Sequence, residues 1–388
     1  MTMLIDHENM NPDGDGEKSS SCSWVDKREK TLLAPWAMRS CDSQGRKHPQ
    51  PEHSYRGPYQ RDRDRILHSS AYRRLSGKMQ VFTGEMGDYH RTRLTHTQEV
   101  ATIARTIGRV LGLNEDLIEA LALMHDIGHP PYGHAGEDAL NECIEDDGGF
   151  SHNQFALTIA EEIEIRYQEF PGLNLTYEVL AGQRKRIDKT QTDGPKPLLE
   201  VQLVDAADST TYDAHDTDDA VKLKLVTLEG MSSVQLIRDA MKRVRDKYTN
   251  LSDDLTRKAV VHQLVERQVT SLIAHCAGEL QDRNFASATE AMASDFRIEH
   301  TDELAEQKRE LEAFLYRNVY RHPQLIDVRQ RAQMRLKEMF QKYCEQPNLF
   351  PEKYQARSEK VGVRRMAVEY IAGMTDHFCE QTYARICR

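Results

Sequence analysis

Four histidines and two carboxylates lie close together in one stretch of this chain, most of them at or near the ends of predicted helices. These residues are His96, His125, Asp126, His129, His134 and Glu137. Imidazole and carboxylate groups placed beside a hydrophobic core need polar partners, because burying them without partners is costly. One divalent cation can satisfy several such groups at once. The stretch therefore predicts a metal site.

A second, acidic segment supplies candidates for a further ligand. Asp208, Tyr212 and Asp216 recur at every fourth position, so all three lie on one face of a predicted helix. Asp205 lies one turn earlier and is the rival ligand. Two imidazoles and two carboxylates would form a mixed nitrogen and oxygen site that suits Mn, Fe, Zn, Co or Ni, and ligand type alone does not choose among these metals.

Two predicted helices position the first group of residues. An apolar stripe predicts a helix that begins close to His96 and ends at Gly112. Asn114 is a suitable N-cap for the next helix, which is apolar nearly all round and is therefore predicted to lie in the core. An antiparallel return of the second helix places His96 beside His125-Asp126.

The rest of the chain predicts an all-α protein, without strand alternation of any length. Residues 1–30 are polar and aperiodic and are expected to be a disordered tail, and residues 31–57 an irregular arm. Residues 58–230 are expected to form the core that holds the candidate metal site, and residues 231–388 a helical C-terminal region packed on that core. Beyond the helices described above, helical patterns occur at residues 135–147, 153–169, 176–185, 197–217, 232–247, 253–279, 302–320, 324–345 and 360–385.

Composition narrows the class of protein. Of the 388 residues, 39% are hydrophobic and 29% charged, as expected of a soluble globular chain. We find no apolar run long enough to span a bilayer and no signal-peptide core, so a cytoplasmic location without membrane partners is expected. The net charge of −10 does not favour nucleic-acid binding, although the arginine-rich segment 61–74 leaves it open. The seven scattered cysteines are expected to be reduced thiols.

The residues His96, His125-Asp126 and Asp208 resemble the H…HD…D signature of the HD-domain metal-dependent phosphohydrolases. Longer motifs resemble one branch of that superfamily, the deoxynucleoside triphosphate triphosphohydrolases, or dGTPase-like enzymes of bacteria. These motifs are DRDRI (62–66), YRRLSGKMQV (72–81), RTRLTH (91–96), HDIGHPPYGHAGE (125–137), GGFSHNQ (148–154), GLNLTYEVL (172–180) and AADSTTYDAHDTDDA (206–220). The resemblance spans roughly residues 30 to 220, and HDIGHPPYGHAGE is its most specific part.

The resemblance implies an all-α HD-domain fold with additional C-terminal helices. It also implies hydrolysis of dGTP or of several dNTPs to the deoxynucleoside and inorganic triphosphate. The implied metal ligands are His96, His125, Asp126 and Asp208, with Asp208 preferred over Asp205 because Tyr212 then falls on the family's tyrosine. The implied catalytic residues are His134, Glu137 and His152. The implied substrate contacts are Arg93 and His129 to the triphosphate, and Gln80, Tyr212 and Asp216 to the deoxyribose.

Simpler roles for single residues remain open at this stage. His134 can cap its helix, His152 can lie in the N-cap region of the next helix, and Tyr212 can be a core residue. Two positions depart from the family pattern: Met79 replaces a threonine, and Ser209 replaces the glutamate that commonly follows the ligand aspartate. Neither departure touches a ligand or His134, so an active enzyme is expected.

Further expectations concern the cations, the assembly and the competing functions. A triphosphate substrate normally arrives with Mg²⁺, so a second, loosely held cation is expected. The resemblance implies a homo-oligomer, from dimer to hexamer, with possible activation by dNTPs. One alternative function is a generic HD-domain phosphodiesterase or nucleotidase acting on monophosphates. The other alternative is a non-catalytic nucleotide-sensing protein.

Overall fold

The computed structural model describes residues 24–80, 91–187 and 196–387, which fold into helices joined by loops. The α-helices of these ranges are α1 (Trp24–Leu32), α2 (Pro58–Leu67), α3 (Ser70–Arg74), α4 (Arg93–Val110), α5 (Glu115–Met124), α6 (Gly133–Cys143), α7 (His152–Thr158), α8 (Tyr177–Lys185), α9 (Leu199–Lys222), α10 (Gln235–Lys247), α11 (Asp253–Arg283), α12 (Ala288–Ala293), α13 (Asp302–Leu315), α14 (Pro323–Glu345), α15 (Glu352–Val361), α16 (Val363–Ala372) and α17 (Asp376–Ile386). The β pairing in these ranges is limited to the isolated bridges Arg46–Thr176, Met79–Thr92 and Ile165–Gly172. The predicted all-α fold is confirmed. Among the described helices, none combines the length and the apolar composition that a bilayer-spanning helix requires.

Helices α4 and α5 begin at well-formed N-caps. The Thr92 hydroxyl accepts a hydrogen bond from the Thr95 backbone N–H, which satisfies one donor at the start of α4. Asn114 caps α5 by accepting from the backbone N–H groups of Asp116 and Leu117, as the sequence predicts. The apolar side chains of α5 are buried against α2, α4 and α9, so the prediction of a core helix is also confirmed.

The end of the expected N-terminal tail forms a helix that the sequence does not predict. Residues 1–23 of the expected tail lie outside the described residues. The prediction of disorder is wrong for residues 24–30, because they form part of α1. The buried carboxylate of Glu29 accepts hydrogen bonds from the Ser40 backbone N–H at 2.7 Å and the Ser40 hydroxyl at 2.6 Å. The Trp36 indole N–H donates to the Leu111 carbonyl at 3.0 Å. These contacts attach the N-terminal segment to the end of α4. They hold in place a segment whose sequence shows little helical periodicity.

The C-terminal helices pack on two apolar clusters. The larger cluster joins α4, α5 and α9 to the C-terminal helices α14, α16 and α17. The smaller cluster lies around α10 and α13 and includes the first half of α11. The sequence predicts one helix over residues 360–385, and this is wrong: Gly362 adopts φ = 83°, which ends α15, and a second break separates Ala372 from Asp376. The division into a core and a C-terminal region at residue 230 stays a prediction.

A buried lysine of α13 links that helix to α9, the helix that carries Asp208, and to α11. Lys308 of α13 donates to the carboxylate of Asp213 on α9 and, at 2.7 Å, to the Gln268 side-chain carbonyl on α11. Both charged side chains are almost fully buried. Burial raises the pKa of Asp213 to about 6 even though Lys308 opposes the shift. Burial therefore outweighs the attraction of Lys308 at Asp213, and each buried charge depends on the other for compensation.

We expect Lys308→Met to lower the free energy of unfolding by about 3–5 kcal/mol at pH 8, because it leaves the Asp213 carboxylate buried without a cation. Urea denaturation followed by circular dichroism measures this loss. The loss should shrink at pH 5, where Asp213 is protonated in the variant. Lys242→Met is the matched control, because Lys242 forms an exposed pair with Asp246 on α10. Equal urea midpoints for the two variants would contradict this account.

Candidate metal and active site

Three of the four predicted metal ligands form a compact group. His96 lies in the first turn of α4, His125 follows α5 directly, and Asp208 lies in α9. Nε2 of His96 is 3.0 Å and Nε2 of His125 is 3.8 Å from Oδ1 of Asp208. One potential ligand atom from each residue lies within 4.8 Å of the others. Such separations suit ligand atoms that share one cation at about 2.0–2.2 Å each.

The hydrogen bonding of His125 supports the same conclusion. Its Nδ1 is 2.6 Å from the Ala122 carbonyl, and a carbonyl only accepts, so Nδ1 carries the proton. In the neutral ring this leaves a lone pair on Nε2, which is buried and has no hydrogen-bond partner among the described groups. Burial lowers the pKa of His125, which keeps the ring neutral. A buried imidazole lone pair aimed at a carboxylate fits a divalent cation.

Asp126, the fourth predicted ligand, lies beside this group. Its Oδ1 is 3.6 Å from Nε2 of His125 and 2.9 Å from Nδ1 of His129, and its Oδ2 accepts from Arg93 at 2.9 Å. Burial alone would raise the pKa of Asp126, but His129, Arg93 and His125 together hold it well below its ordinary value. The carboxylate is therefore ionised and presents Oδ1 toward the site. The structure thus gives both predicted triphosphate contacts, Arg93 and His129, a protein partner.

The predicted catalytic residues form a second cluster at the starts of α6 and α7. Oε2 of Glu137 is 3.3 Å from Nδ1 of His134, and its Oε1 accepts from Nδ1 of His152 at 2.7 Å. Burial would raise the pKa of Glu137, but the hydrogen bonds from the two histidines outweigh it and lower the pKa. The rings of His129 and His152 are in contact, with centroids 3.8 Å apart and planes tilted by 32°. One ionised carboxylate thus orients two imidazoles, while His134 keeps 58% of its side chain exposed.

A left-handed turn before α6 brings this cluster close to Arg93. Tyr132 and Gly133 have φ values of 64° and 58°. A Cβ atom at Gly133 would lie 2.7 Å from a guanidinium nitrogen of Arg93, so glycine allows this close approach. The carboxylate of Asp376 in α17 accepts from the backbone N–H groups of Tyr132 at 3.1 Å and Met79 at 2.9 Å. The last helix therefore fixes the loop that leads into the cluster of predicted catalytic residues.

A cavity of about 240 Å³ opens beside His134. Its walls are mostly aromatic and polar side chains, and the lining residues are Gln80, Tyr132, His134, Ala135, Tyr212, Tyr316, Tyr320 and Arg329. Two of the three predicted sugar contacts, Gln80 and Tyr212, line it. The third, Asp216, is fully buried one turn beyond Tyr212, and burial together with Asp219 raises its pKa well above the ordinary value. The Tyr320 hydroxyl donates to the Tyr212 hydroxyl at 2.8 Å.

Several residues of the site are not found by the sequence analysis. Arg186, at the end of α8, pairs with Asp205 and lies 3.9 Å from Oδ2 of Asp208, so the rival ligand Asp205 faces an arginine instead of the histidines. Residues 188–195 of the polar loop after Arg186 lie outside the described residues. His215 contacts His96, and its position seven residues after Asp208 was an available signal. The cavity residues of the C-terminal region carry no motif that singles them out.

Comparisons with known proteins agree with this geometry. The HD domain family matches residues 93–213, which contain all four predicted ligands, and a phosphohydrolase-associated domain matches residues 298–385. The chain is 37% identical to a deoxyguanosinetriphosphate triphosphohydrolase-like protein of Geobacter sulfurreducens, over 92% of this chain and 96% of that protein. Proteins of the same name from Azoarcus sp. and Thiobacillus denitrificans are 38% and 39% identical over 91% of this chain and 96% and 97% of theirs. An HD domain implies that the chain binds a divalent metal.

We expect Asp208→Ala to remove bound metal, whereas Asp205→Ala should retain it. Asp208 contributes an anionic oxygen between two histidines, and Asp205 is engaged with Arg186. Metal analysis by mass spectrometry after dialysis measures the difference. Removing the hydrogen-bond partner of a metal ligand typically lowers metal affinity by roughly 10- to 100-fold. The fall in metal affinity of Asp208→Ala should be larger, because this change removes a ligand itself. A full metal content in Asp208→Ala would exclude this residue from the ligand set.

Proposed function

This chain belongs to the deoxyguanosinetriphosphate triphosphohydrolase-like family of HD-domain phosphohydrolases, and we propose that it hydrolyses deoxynucleoside triphosphates to the deoxynucleoside and inorganic triphosphate. The observation that carries the proposal is the arrangement of three adjoining parts. These are the histidine and aspartate group for a metal, the catalytic cluster held by Glu137, and the aromatic cavity beside His134. Such an arrangement provides separate places for a phosphate, a proton donor and a nucleoside.

The metal group is suited to the phosphate. A divalent cation held by the predicted ligands His96, His125, Asp126 and Asp208 would lower the pKa of a bound water and offset phosphate charge. The mixed nitrogen and oxygen ligands favour Mn, Fe, Zn, Co or Ni. Mg²⁺ would accompany the substrate triphosphate. The chain itself contributes the orientation of the carboxylates, because Arg93 holds Asp126 from the side away from the histidines.

His134 is placed to act as the acid that protonates the leaving group. Attack at the α-phosphorus expels the 5′-alkoxide, which is a poor leaving group and benefits from a positioned proton donor. Nδ1 of His134 faces Glu137, and the ring lines the cavity, so Nε2 remains for the substrate. The ionised Glu137 stabilises the protonated imidazole. His152, bonded to the other oxygen of Glu137, keeps that carboxylate in place.

The cavity is suited to a nucleoside. Tyrosine rings offer apolar faces for a base or a sugar, and the hydroxyl pair of Tyr212 and Tyr320 offers polar contacts. Tyr212 closes the cavity on the α9 side, which is where it can exclude a ribose 2′-hydroxyl. Gln80 places a side-chain amide in the same wall.

One observation favours the competing function, a nucleotidase or phosphodiesterase acting on monophosphates. The Arg93 guanidinium donates to the carboxylate of Asp126 and to the backbone carbonyl of Gln80, so it is not free to pair with β- and γ-phosphates. In this alternative the metal group alone would hold a single phosphate. The two functions release different products, which separates them directly. Assembly into a dNTP-activated homo-oligomer stays a prediction.

We expect the purified protein, supplied with Mn²⁺ and Mg²⁺, to release inorganic triphosphate from dNTPs and much less from NTPs. Four dNTPs, four NTPs and four deoxynucleoside monophosphates are assayed for triphosphate, pyrophosphate and orthophosphate by ion chromatography. Orthophosphate from monophosphates, with no triphosphate from any dNTP, would establish the alternative. Binding of dNTPs without any turnover would point to a nucleotide-sensing protein.

We expect His134→Gln to lower kcat by roughly 10²- to 10⁴-fold, the usual contribution of a general acid. Glutamine keeps a polar side chain but cannot deliver a proton, so metal content and dNTP binding should remain. His262→Gln is the matched control, because His262 is an exposed helical histidine that also lies near a glutamate, Glu266 on α11. If both variants turn over at the rate of the unmodified protein, His134 is not the acid.

A further inference from the structure

A second histidine and a glutamate lie behind the metal ligand His96. Nδ1 of His96, the ring nitrogen that faces away from Asp208, is 3.4 Å from Nδ1 of His215. Nε2 of His215 contacts Oε2 of Glu99. Both histidines are buried, whereas Glu99 is half exposed. The three side chains therefore form a line that runs from the metal group to the protein surface.

The helices explain this alignment. Glu99 lies three residues after His96 on α4, so the two side chains emerge from the same face of that helix. His215 lies on α9, seven residues after Asp208, so it shares the face of α9 that packs against α4. The two helices that supply His96 and Asp208 also supply the groups behind His96.

When His96 binds a cation, only one arrangement of protons on the three side chains is chemically consistent. A metal takes the lone pair of Nε2, so the proton of the neutral His96 ring must lie on Nδ1. The facing Nδ1 of His215 must then accept, which moves the proton of His215 to its Nε2. A carboxylate only accepts, so Glu99 is matched to that proton.

We propose that Glu99 and His215 are positioning residues that set the tautomer and orientation of His96 for metal binding. Glu99 acts through His215: it selects the His215 tautomer whose Nδ1 accepts, and this selects the His96 tautomer whose Nε2 is free. The inference rests on the proposed metal-dependent function, but it holds whichever nucleotide is hydrolysed. Partners of this kind orient a ligand histidine and increase its basicity.

The test measures metal affinity and folding separately. Apoprotein is titrated with Mn²⁺ and with Co²⁺ against a competing chelator, and the thermal midpoint of each apoprotein is recorded. Glu99→Gln should weaken metal binding by roughly 10- to 100-fold. Its amide N–H₂ can donate to His215, which favours the opposite tautomer. The thermal midpoint of the apoprotein should remain unchanged, because the glutamate is half exposed.

A double-mutant cycle tests the order of action. His215→Phe removes the acceptor for His96 and should weaken metal binding as much as Glu99→Gln does. The combined variant should bind metal no more weakly than His215→Phe alone, because Glu99 acts only through His215. Glu115→Gln is the matched control, because Glu115 is a partly exposed carboxylate paired with Arg109 at the start of α5, the end of that helix away from His125. This variant should bind metal as tightly as the unmodified protein.

Three outcomes overturn the inference. The first is a Glu99→Gln apoprotein that is folded and binds metal as tightly as the unmodified protein. The second is a combined variant whose loss of metal-binding free energy is the sum of the losses in the two single variants, because Glu99 would then act independently of His215. The third is an unmodified protein that binds no divalent cation, which would overturn the proposed function as well. Tight metal binding without dNTP hydrolysis would instead overturn the proposed substrate and leave this inference standing.

Discussion

The site depends on the burial of His125 and Asp126 at the end of an apolar core helix. Helix α5 places both side chains where water cannot satisfy them, with 3% and 4% of their surfaces exposed. Each polar atom there needs a protein partner or a cation. The surrounding elements supply these partners from distant parts of the chain: α4 contributes His96 and Arg93, and α9 contributes Asp208. The antiparallel packing of α4 and α5 against α9 is therefore the constraint that creates the candidate centre.

The C-terminal helices take part in the site as well as in the core. Asp376 of α17 holds the backbone of Met79, which precedes His96 in the chain, and that of Tyr132, which follows Asp126. The ammonium group of Lys78 donates to the carbonyl of Ala372 at 3.0 Å and to that of His129. Burial and Arg74 lower the pKa of Lys78 to about 7, whereas the two carbonyl acceptors favour the charged ammonium group. Removing the C-terminal region would thus disturb the loops around the cluster of His134, Glu137 and His152.

The parts of the structure that the sequence predicts are those governed by local periodicity and by contiguous motifs. The Asn114 cap and the core position of α5 follow from side chains within a few residues of each other. The sequence does not predict helix α1, whose Glu29 accepts hydrogen bonds from Ser40 beyond the end of the helix, and local propensity does not report such contacts. The same reason applies to Arg186, which meets Asp208 only after α8 and α9 have packed. The wall of the cavity formed by Tyr320 belongs to a helical region whose pattern is plainly amphipathic, so only the tertiary fold reveals it.

The two carboxylates of the candidate centre are prepared in the same way. Each has its Oδ2 near a guanidinium group, Arg93 at 2.9 Å from Asp126 and Arg186 at 3.9 Å from Asp208. Each presents its Oδ1 to imidazole nitrogens instead. Burial would raise the pKa of both aspartates, but the neighbouring histidines and arginines lower it, while burial lowers the pKa of His125.

Near neutral pH the acids are therefore ionised and the His125 ring is neutral, which is the protonation state that a cation requires of its ligands. Metal binding then need not displace protons from these groups. The arginines serve a second purpose, because they compensate the negative charges of the buried Asp126 and the partly buried Asp208 while no cation is bound, and so limit the repulsion between them. The guanidinium groups lie on the outer oxygens, where they do not compete with a cation for the inner ones. Replacing either arginine with a neutral residue would leave the neighbouring carboxylate both less constrained and more easily protonated, so the arginines belong to the candidate metal site even though they would donate no electron pair to a cation.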